Sequence, residues 1–197
     1  MDTKLLDLLK SLHQAGVEHD AGQSDRLLRR RNLEPDSAAL LAVVLRAMHV
    51  RTMVEIGTSN GYSTIWFADV LRATGGEPLL SVDLDGGVQR EAAENLARAG
   101  LSDYVELRQA DGGAVLGELA DGSVDALFLD SERPEYPGWW PHPKRVLRPG
   151  GLLIVDNVLS HPDEVAGFLA IVEADGQFTS SVAAIGKGLL LATLAAS

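Results

Sequence analysis

Val54-Glu55-Ile56-Gly57-Thr58-Ser59-Asn60-Gly61-Tyr62-Ser63-Thr64 is the stretch that decides the fold. A short apolar run ends on a glycine. A polar turn, a second glycine and the start of a helical pattern follow. This reads as a strand passing through a tight loop into a helix. In an open α/β sheet, ligands bind just beyond such junctions, at the carboxyl ends of the strands. Glycine lets the backbone turn there and come close to a ligand. The amides at the helix start can receive a carboxylate or a phosphate. The spacing is Gly-x-x-x-Gly, not the Gly-x-Gly-x-x-Gly of dinucleotide enzymes, and no Gly-Lys-Ser/Thr follows as in a P-loop. A nicotinamide or flavin enzyme is therefore disfavoured.

Outward from this loop, short apolar runs alternate with amphipathic segments. Strands are predicted at 52–56, 79–83, 104–108, 124–129 and 152–156. Helices are predicted at 63–73, 87–99, 113–120, 136–147 and 162–174. Strands alternating with helices imply a parallel sheet with helices on both faces. Two last runs, 178–184 and 188–194, have only Ile185-Gly186-Lys187 between them. That gap is too short for a crossover, so they pair as an antiparallel hairpin. The expectation is a Rossmann-like, doubly wound α/β fold: a mostly parallel seven-stranded sheet closed by a C-terminal hairpin. Residues 1–50 read as helices. Leu5, Leu6, Leu8, Leu9 and Leu12 share a face, and Pro35-Asp36-Ser37 starts a second helix.

Composition sets the bounds. The 197 residues suit a single domain, with 1–50 as N-terminal helices and 51–197 as the core. No apolar run reaches membrane-spanning length, and the N-terminus lacks the pattern of a secretory signal. The expected location is the cytoplasm. The chain has no cysteine, which excludes disulfides, thiolate metal sites and cysteine nucleophiles. The net charge of −11 disfavours nucleic acid as a partner. The one basic cluster, Arg26, Arg29, Arg30 and Arg31, is read as a solvated helix face or helix end ahead of a ligand contact. The apolar face of the first helix has two candidate partners, its own domain or a second copy in a homodimer.

Acids stand at successive strand ends. Asp83 closes the second strand, where a carboxylate can accept both hydroxyls of a ribose. Asp85 reads as a helix cap. Asp111 follows the third strand and suits either a helix cap or the rim of an adenine pocket. Acids without a phosphate cradle fit an adenosine that lacks a pyrophosphate. Asp130 ends the fourth strand, and Asp156 and Asn157 end the fifth. Adjacent strands would bring these three together as hard oxygen ligands for Mg²⁺, Mn²⁺ or Ca²⁺, although turn preference alone also places acids at such positions. Trp139 and Trp140 are adjacent, so one at most faces a pocket, and helix packing onto the sheet accounts for both.

These residues resemble the cation-dependent O-methyltransferases, the family of catechol and caffeoyl-CoA O-methyltransferases and small bacterial relatives. The resemblance runs from about residue 51 to 194. It is carried by Glu55-Ile56-Gly57-Thr58 with Gly61-Tyr62-Ser63, by Asp130, by Arg148-Pro149-Gly150-Gly151 leading into Val155-Asp156-Asn157-Val158-Leu159, and by Gly188-Leu189-Leu190-Leu191-Ala192. It implies S-adenosylmethionine as cofactor and a small-molecule hydroxyl as acceptor. It also implies that Glu55, Gly57 and Ser63 line the methionine end, that Asp83 binds the ribose and that Asp111 lies beside the adenine. Asp130, Asp156 and Asn157 would hold the cation, with Asp130 also touching the cofactor's amino group. Three residues after Asp130 the family often carries a lysine base. Here Arg133 stands there, a poor base that can still steady an oxyanion. Ser131 and Glu132 replace the more usual Ala-Asp. A tRNA acceptor, as in some bacterial relatives, and cofactor binding without turnover are the alternative readings.

Overall fold

The computed structural model describes residues 1–25 and 28–196. Arg26 of the basic cluster therefore lies outside the described residues. Helix α1 (Thr3–Ala21) starts at Asp2, whose side chain accepts from the Leu5 amide at 2.8 Å. It buries Leu5, Leu9, Leu12 and Gly16, spaced three and four residues apart as one helical face requires. That face packs into the chain's own core. Helix α2 (Pro35–Ala47) begins at a proline, whose missing N–H is no loss in a first turn.

The core follows as β1 (Met53–Ile56), α3 (Tyr62–Thr74), β2 (Leu79–Asp83), α4 (Gly86–Ala99), β3 (Val105–Gln109), α5 (Gly112–Glu118), β4 (Val124–Leu129), α6 (Tyr136–Trp139), α7 (Pro141–Val146), β5 (Leu147–Val155), α8 (Pro162–Ala174), β6 (Phe178–Ala183) and β7 (Leu189–Leu194). The seven strands lie in the order β3-β2-β1-β4-β5-β7-β6. Strands β1 to β5 run parallel, β7 pairs antiparallel with β5, and β6 antiparallel with β7. This is the expected Rossmann-like sheet with its C-terminal hairpin.

Central strands are buried on both faces, which is why they read as unbroken apolar runs. On β4, Ala126 and Phe128 join a core with α1 to α4, while Leu127 and Leu129 join a second core with α5 to α8. The strand order reverses between β1 and β4. Ligand clefts form at such reversals, beyond the carboxyl ends of the strands.

Most predicted boundaries hold within one or two residues, and two elements change by more. The helix predicted at 136–147 is two short helices, because Pro141 and Pro143 each lack an amide to continue the ladder. Strand β5 begins at Leu147 rather than 152. Leu147 pairs with Val124, and a register shift before Ala126 absorbs the Pro149-Gly150-Gly151 turn. Among the described residues, no helix is long and apolar enough to cross a membrane.

Candidate active site

The loop after β1 crosses closely under the tip of β4. Gly57 has φ +108, and a Cβ placed on it would stand 2.2 Å from the carbonyl oxygen of Asp130. Only glycine fits both the dihedral and the approach. Ser59 and Gly61 also take positive φ. Helix α4 pins the loop from below: Gln89 donates to Thr58 Oγ1 at 3.0 Å and Asn95 to the Asn60 carbonyl at 2.9 Å.

Asp83 supports the same loop. Its Oδ2 accepts from the amides of Thr58 and Ser59, both at 3.0 Å, and its Oδ1 accepts from the Asp85 amide at 3.0 Å. A carboxylate has about four acceptor positions, so Asp83 keeps about one for a hydroxyl in the cleft that it lines.

Glu55 is fully buried beneath the loop and does not line the cleft. It accepts hydroxyl bonds from Ser63 at 2.5 Å, Ser81 at 2.6 Å and Thr64 at 2.7 Å. Burial pushes its carboxyl up to about 7, against the lowering effect of those hydroxyls. Ser63 does line the cleft.

Asp111 lies outside the cleft. It is exposed, and its Oδ1 caps α5 by accepting from the Ala114 amide at 2.8 Å. Its neighbours Ala110 and Gly112 line the cleft instead. Trp139 lies across Gly112 and Gly113, where an added Cβ would come within 3.1 and 2.4 Å of the indole. Trp140 turns away and packs on Phe168 and Phe178. Thus one tryptophan faces the cleft and the other is packing.

Asp130, Asp156 and Asn157 do converge. Asn157 Nδ2 donates to Asp130 Oδ1 at 3.0 Å and to Asp156 Oδ2 at 2.9 Å. Asn157 sits at φ +66, a left-handed position that asparagine tolerates better than most residues. Both carboxyls lie above the usual range. Burial is the main cause for each, and for Asp156 the charge of Asp130 adds to it. Asp156 Oδ1 is buried with no hydrogen-bond partner. A half-buried acid and a buried one that repel each other, the buried one with an orphaned oxygen, suit a hard divalent cation. A half-turn of the Asn157 amide would add a third oxygen. Among the described residues, no three His, Cys, Asp or Glu side chains gather in a metal-sized group. The set therefore rests on two acids and an amide.

Arg133 is not brought to the cleft. Its side chain is only 2% exposed. Its Nε donates to Glu164 Oε2 on α8 at 2.9 Å, and Nη2 forms an ion pair with the same oxygen at 2.8 Å. The guanidinium acts on Asp130 through charge, lowering a pKa that burial has raised. The loop after β4 is latched by Tyr136, which is fully buried. Its hydroxyl accepts from the Ser131 amide at 2.8 Å and donates to the Ser131 carbonyl at 3.2 Å.

The sequence reading missed the segment Arg29–Leu33, which lines the cleft. It placed a solvated helix face or helix end ahead of a ligand contact for these arginines. Ser59 Oγ donates to the Arg30 carbonyl at 2.8 Å, and Arg31 Nη2 donates to Glu132 Oε1 at 3.0 Å. Arg31 and Glu132 are 101 positions apart, so no local pattern signals the contact.

Known proteins match this arrangement. Residues 54–158 match the family described as Methyltransferase domain. The chain is 30% identical to a catechol O-methyltransferase of Niastella koreensis, over 80% of this chain and 67% of that protein. It is 32% identical to a provisionally named O-methyltransferase of Mycobacteroides abscessus, over 95% of this chain and 88% of that one. The crystal structure of a Bacillus cereus O-methyltransferase in complex with SAH superposes with a TM-score of 0.80 at 22% identity, covering 98% of this chain and 91% of that one, which supports the fold. With the glycine loop, the acid at the tip of β2 and the seven-stranded order, these matches establish that the chain belongs to the class I S-adenosylmethionine-dependent methyltransferases, among the small bacterial O-methyltransferases.

Proposed function

We propose that the chain works as one domain that transfers the methyl group of S-adenosylmethionine to a hydroxyl oxygen of a small molecule, with a divalent cation at Asp130, Asp156 and Asn157. One observation carries the reading. Gly57 packs against the backbone of Asp130 and both line one cleft, while Asp156 and Asn157 are buried and joined to Asp130 through the Asn157 amide. The SAH complex of the Bacillus cereus relative supports the choice of cofactor.

Each residue then has a task. Asp83 accepts a ribose hydroxyl with its remaining acceptor position. Ala110, Gly112 and the indole of Trp139 form the adenine slot, and Asp111 shapes it only by starting α5. The Gly57 loop and Ser63 face the methionine end, and Glu55 is a positioning residue that orients the Ser63 hydroxyl. Arg133, locked to Glu164, holds positive charge behind Asp130 and touches no reactant. The acceptor oxygen attacks the methyl carbon in line, and the C–S electron pair leaves with sulfur as a neutral thioether. The hydroxyl proton is lost to solvent. Alignment contributes most, because the sulfonium is already a good leaving group. A bound divalent cation would make the hydroxyl acidic near neutral pH.

The test is calorimetric titration with S-adenosylhomocysteine, together with thermal unfolding in Mg²⁺. Wild type is expected to bind, and Asp83→Asn to bind about tenfold more weakly or worse, as loss of a charged acceptor implies. Mg²⁺ should raise the unfolding midpoint of wild type and not of Asp156→Asn. Absence of nucleoside binding by wild type would overturn the cofactor assignment. An equal Mg²⁺ response in both proteins would overturn the cation site.

A further inference from the structure

Arg133, three residues after Asp130, turns away to Glu164 on α8. A different cation reaches the cleft from the N-terminal segment. Arg31 lines it beside Asp130, Ser131 and Glu132, with its side chain 31% exposed.

Its placement is built. The backbone of Arg31 is left-handed, φ +51, a conformation costly for a long side chain. The carboxylate of Asp20 holds it there, accepting the Arg30 amide at 2.6 Å and the Arg31 amide at 2.9 Å. On one side Ser59 ties down the Arg30 carbonyl. On the other, Asn32 Nδ2 donates to the Leu12 carbonyl at 3.4 Å, and Leu33 is buried at 1% exposure. Strained backbone held by surrounding structure is characteristic of sites where a side chain must point somewhere specific. Here it points a guanidinium at the tip of β4.

We propose that Arg31 binds an anionic group of the methyl acceptor, so that the acceptors of this chain are small hydroxyl compounds bearing a carboxylate. The inference rests on the methyltransferase reading above. One Arg31 N–H is given to Glu132. A guanidinium carries five N–H donors in a planar fork, so the fork can take a second carboxylate. Asp85, Glu132 and Glu135 also line the cleft and oppose a highly charged phosphate or nucleic acid, whereas a monoanion needs only the one fork.

The test uses wild type, Arg31→Gln and Glu132→Gln, each saturated with S-adenosylhomocysteine. The probes are 3,4-dihydroxybenzoate and its neutral isostere 3,4-dihydroxybenzamide, titrated calorimetrically with Mg²⁺ present. Wild type is expected to favour the benzoate by about tenfold, the scale of one charge-assisted pair. Arg31→Gln should bring that ratio to near one, and Glu132→Gln should raise it by releasing the fork. The proposal fails if wild type binds both probes equally or neither, or if the ratio survives in Arg31→Gln. It also fails if both variants lower the ratio together, which marks a tether. Weakening of S-adenosylhomocysteine itself in Arg31→Gln would assign the guanidinium to the donor instead. If wild type does not bind S-adenosylhomocysteine at the outset, the methyltransferase reading is what has failed.

Discussion

Gly57→Ala probes the contact on which the site depends. Two costs add at this position. A side chain at φ +108 carries backbone strain of about 1–2 kcal/mol. The new Cβ would also stand 2.2 Å from the Asp130 carbonyl oxygen and 2.7 Å from its carbon, so backbone, not a flexible side chain, must move. Forced repacking of this kind costs about 1–3 kcal/mol. The expected loss is about 2–5 kcal/mol, a large share of the usual total. Gly75→Ala is the control. Gly75 has φ +68 and nothing within 4 Å of an added Cβ, so it carries the strain alone. With a urea slope of about 2–3 kcal/mol per molar, the midpoint should fall by about 1–2 M for Gly57→Ala and by about 0.5 M for Gly75→Ala. Because the strain is relieved by parting the tips of β1 and β4, S-adenosylhomocysteine binding should weaken only in Gly57→Ala. Equal midpoint losses in the two variants would refute the claim that close approach to Asp130 demands glycine.

Two further perturbations test the surroundings. Glu164→Ala removes the acid that holds the buried Arg133 guanidinium, and should cost about 3 kcal/mol, the lower end for a broken buried pair because Glu164 is 28% exposed; a urea-measured loss below about 1 kcal/mol would show that the guanidinium is solvated without it. Glu55 gives a pH dependence: its carboxyl is raised from 4.5 to about 7, so its contribution to stability is complete below the unfolded value and is lost as pH rises through 7. The stability of wild type relative to Glu55→Gln should therefore fall by about 3 kcal/mol at most between pH 4.5 and 8, by linkage, and a difference in urea midpoint that stays flat with pH would overturn the assignment of a protonated buried Glu55.

The strand and helix pattern was legible because it depends on neighbours in sequence. Strands at 79–83 and 124–129 and the helix at 162–174 were located to the residue. The three-residue gap at 185–187 forced a hairpin, since the chain cannot cross a sheet in that length. The acids of β4 and β5 converge because the order of a doubly wound sheet makes those strands neighbours. For Asp111 the sequence left a helix cap and a pocket rim both open, and for Asp83 it offered the ribose alone. Asp111 proved to be a cap, and Asp83 serves the loop amides while facing the cleft. Likewise the fifth strand was predicted from residue 152, and only the pairing of Leu147 with Val124 reveals that β5 starts before Pro149-Gly150-Gly151.

The amino-acid sequence by itself determined the sheet, its hairpin, the glycine loop and the acids at the strand tips, because periodicity and turn chemistry act over a few residues. The tertiary structure decided which charged side chains reach the cleft. Arg133 has the right position in sequence and turns to Glu164, 31 residues on, whereas Arg31 arrives from a segment separated from its partner Glu132 by 101. The destination of a long side chain is set by the charges and voids that distant elements bring beside it, and these exist only once the chain has folded.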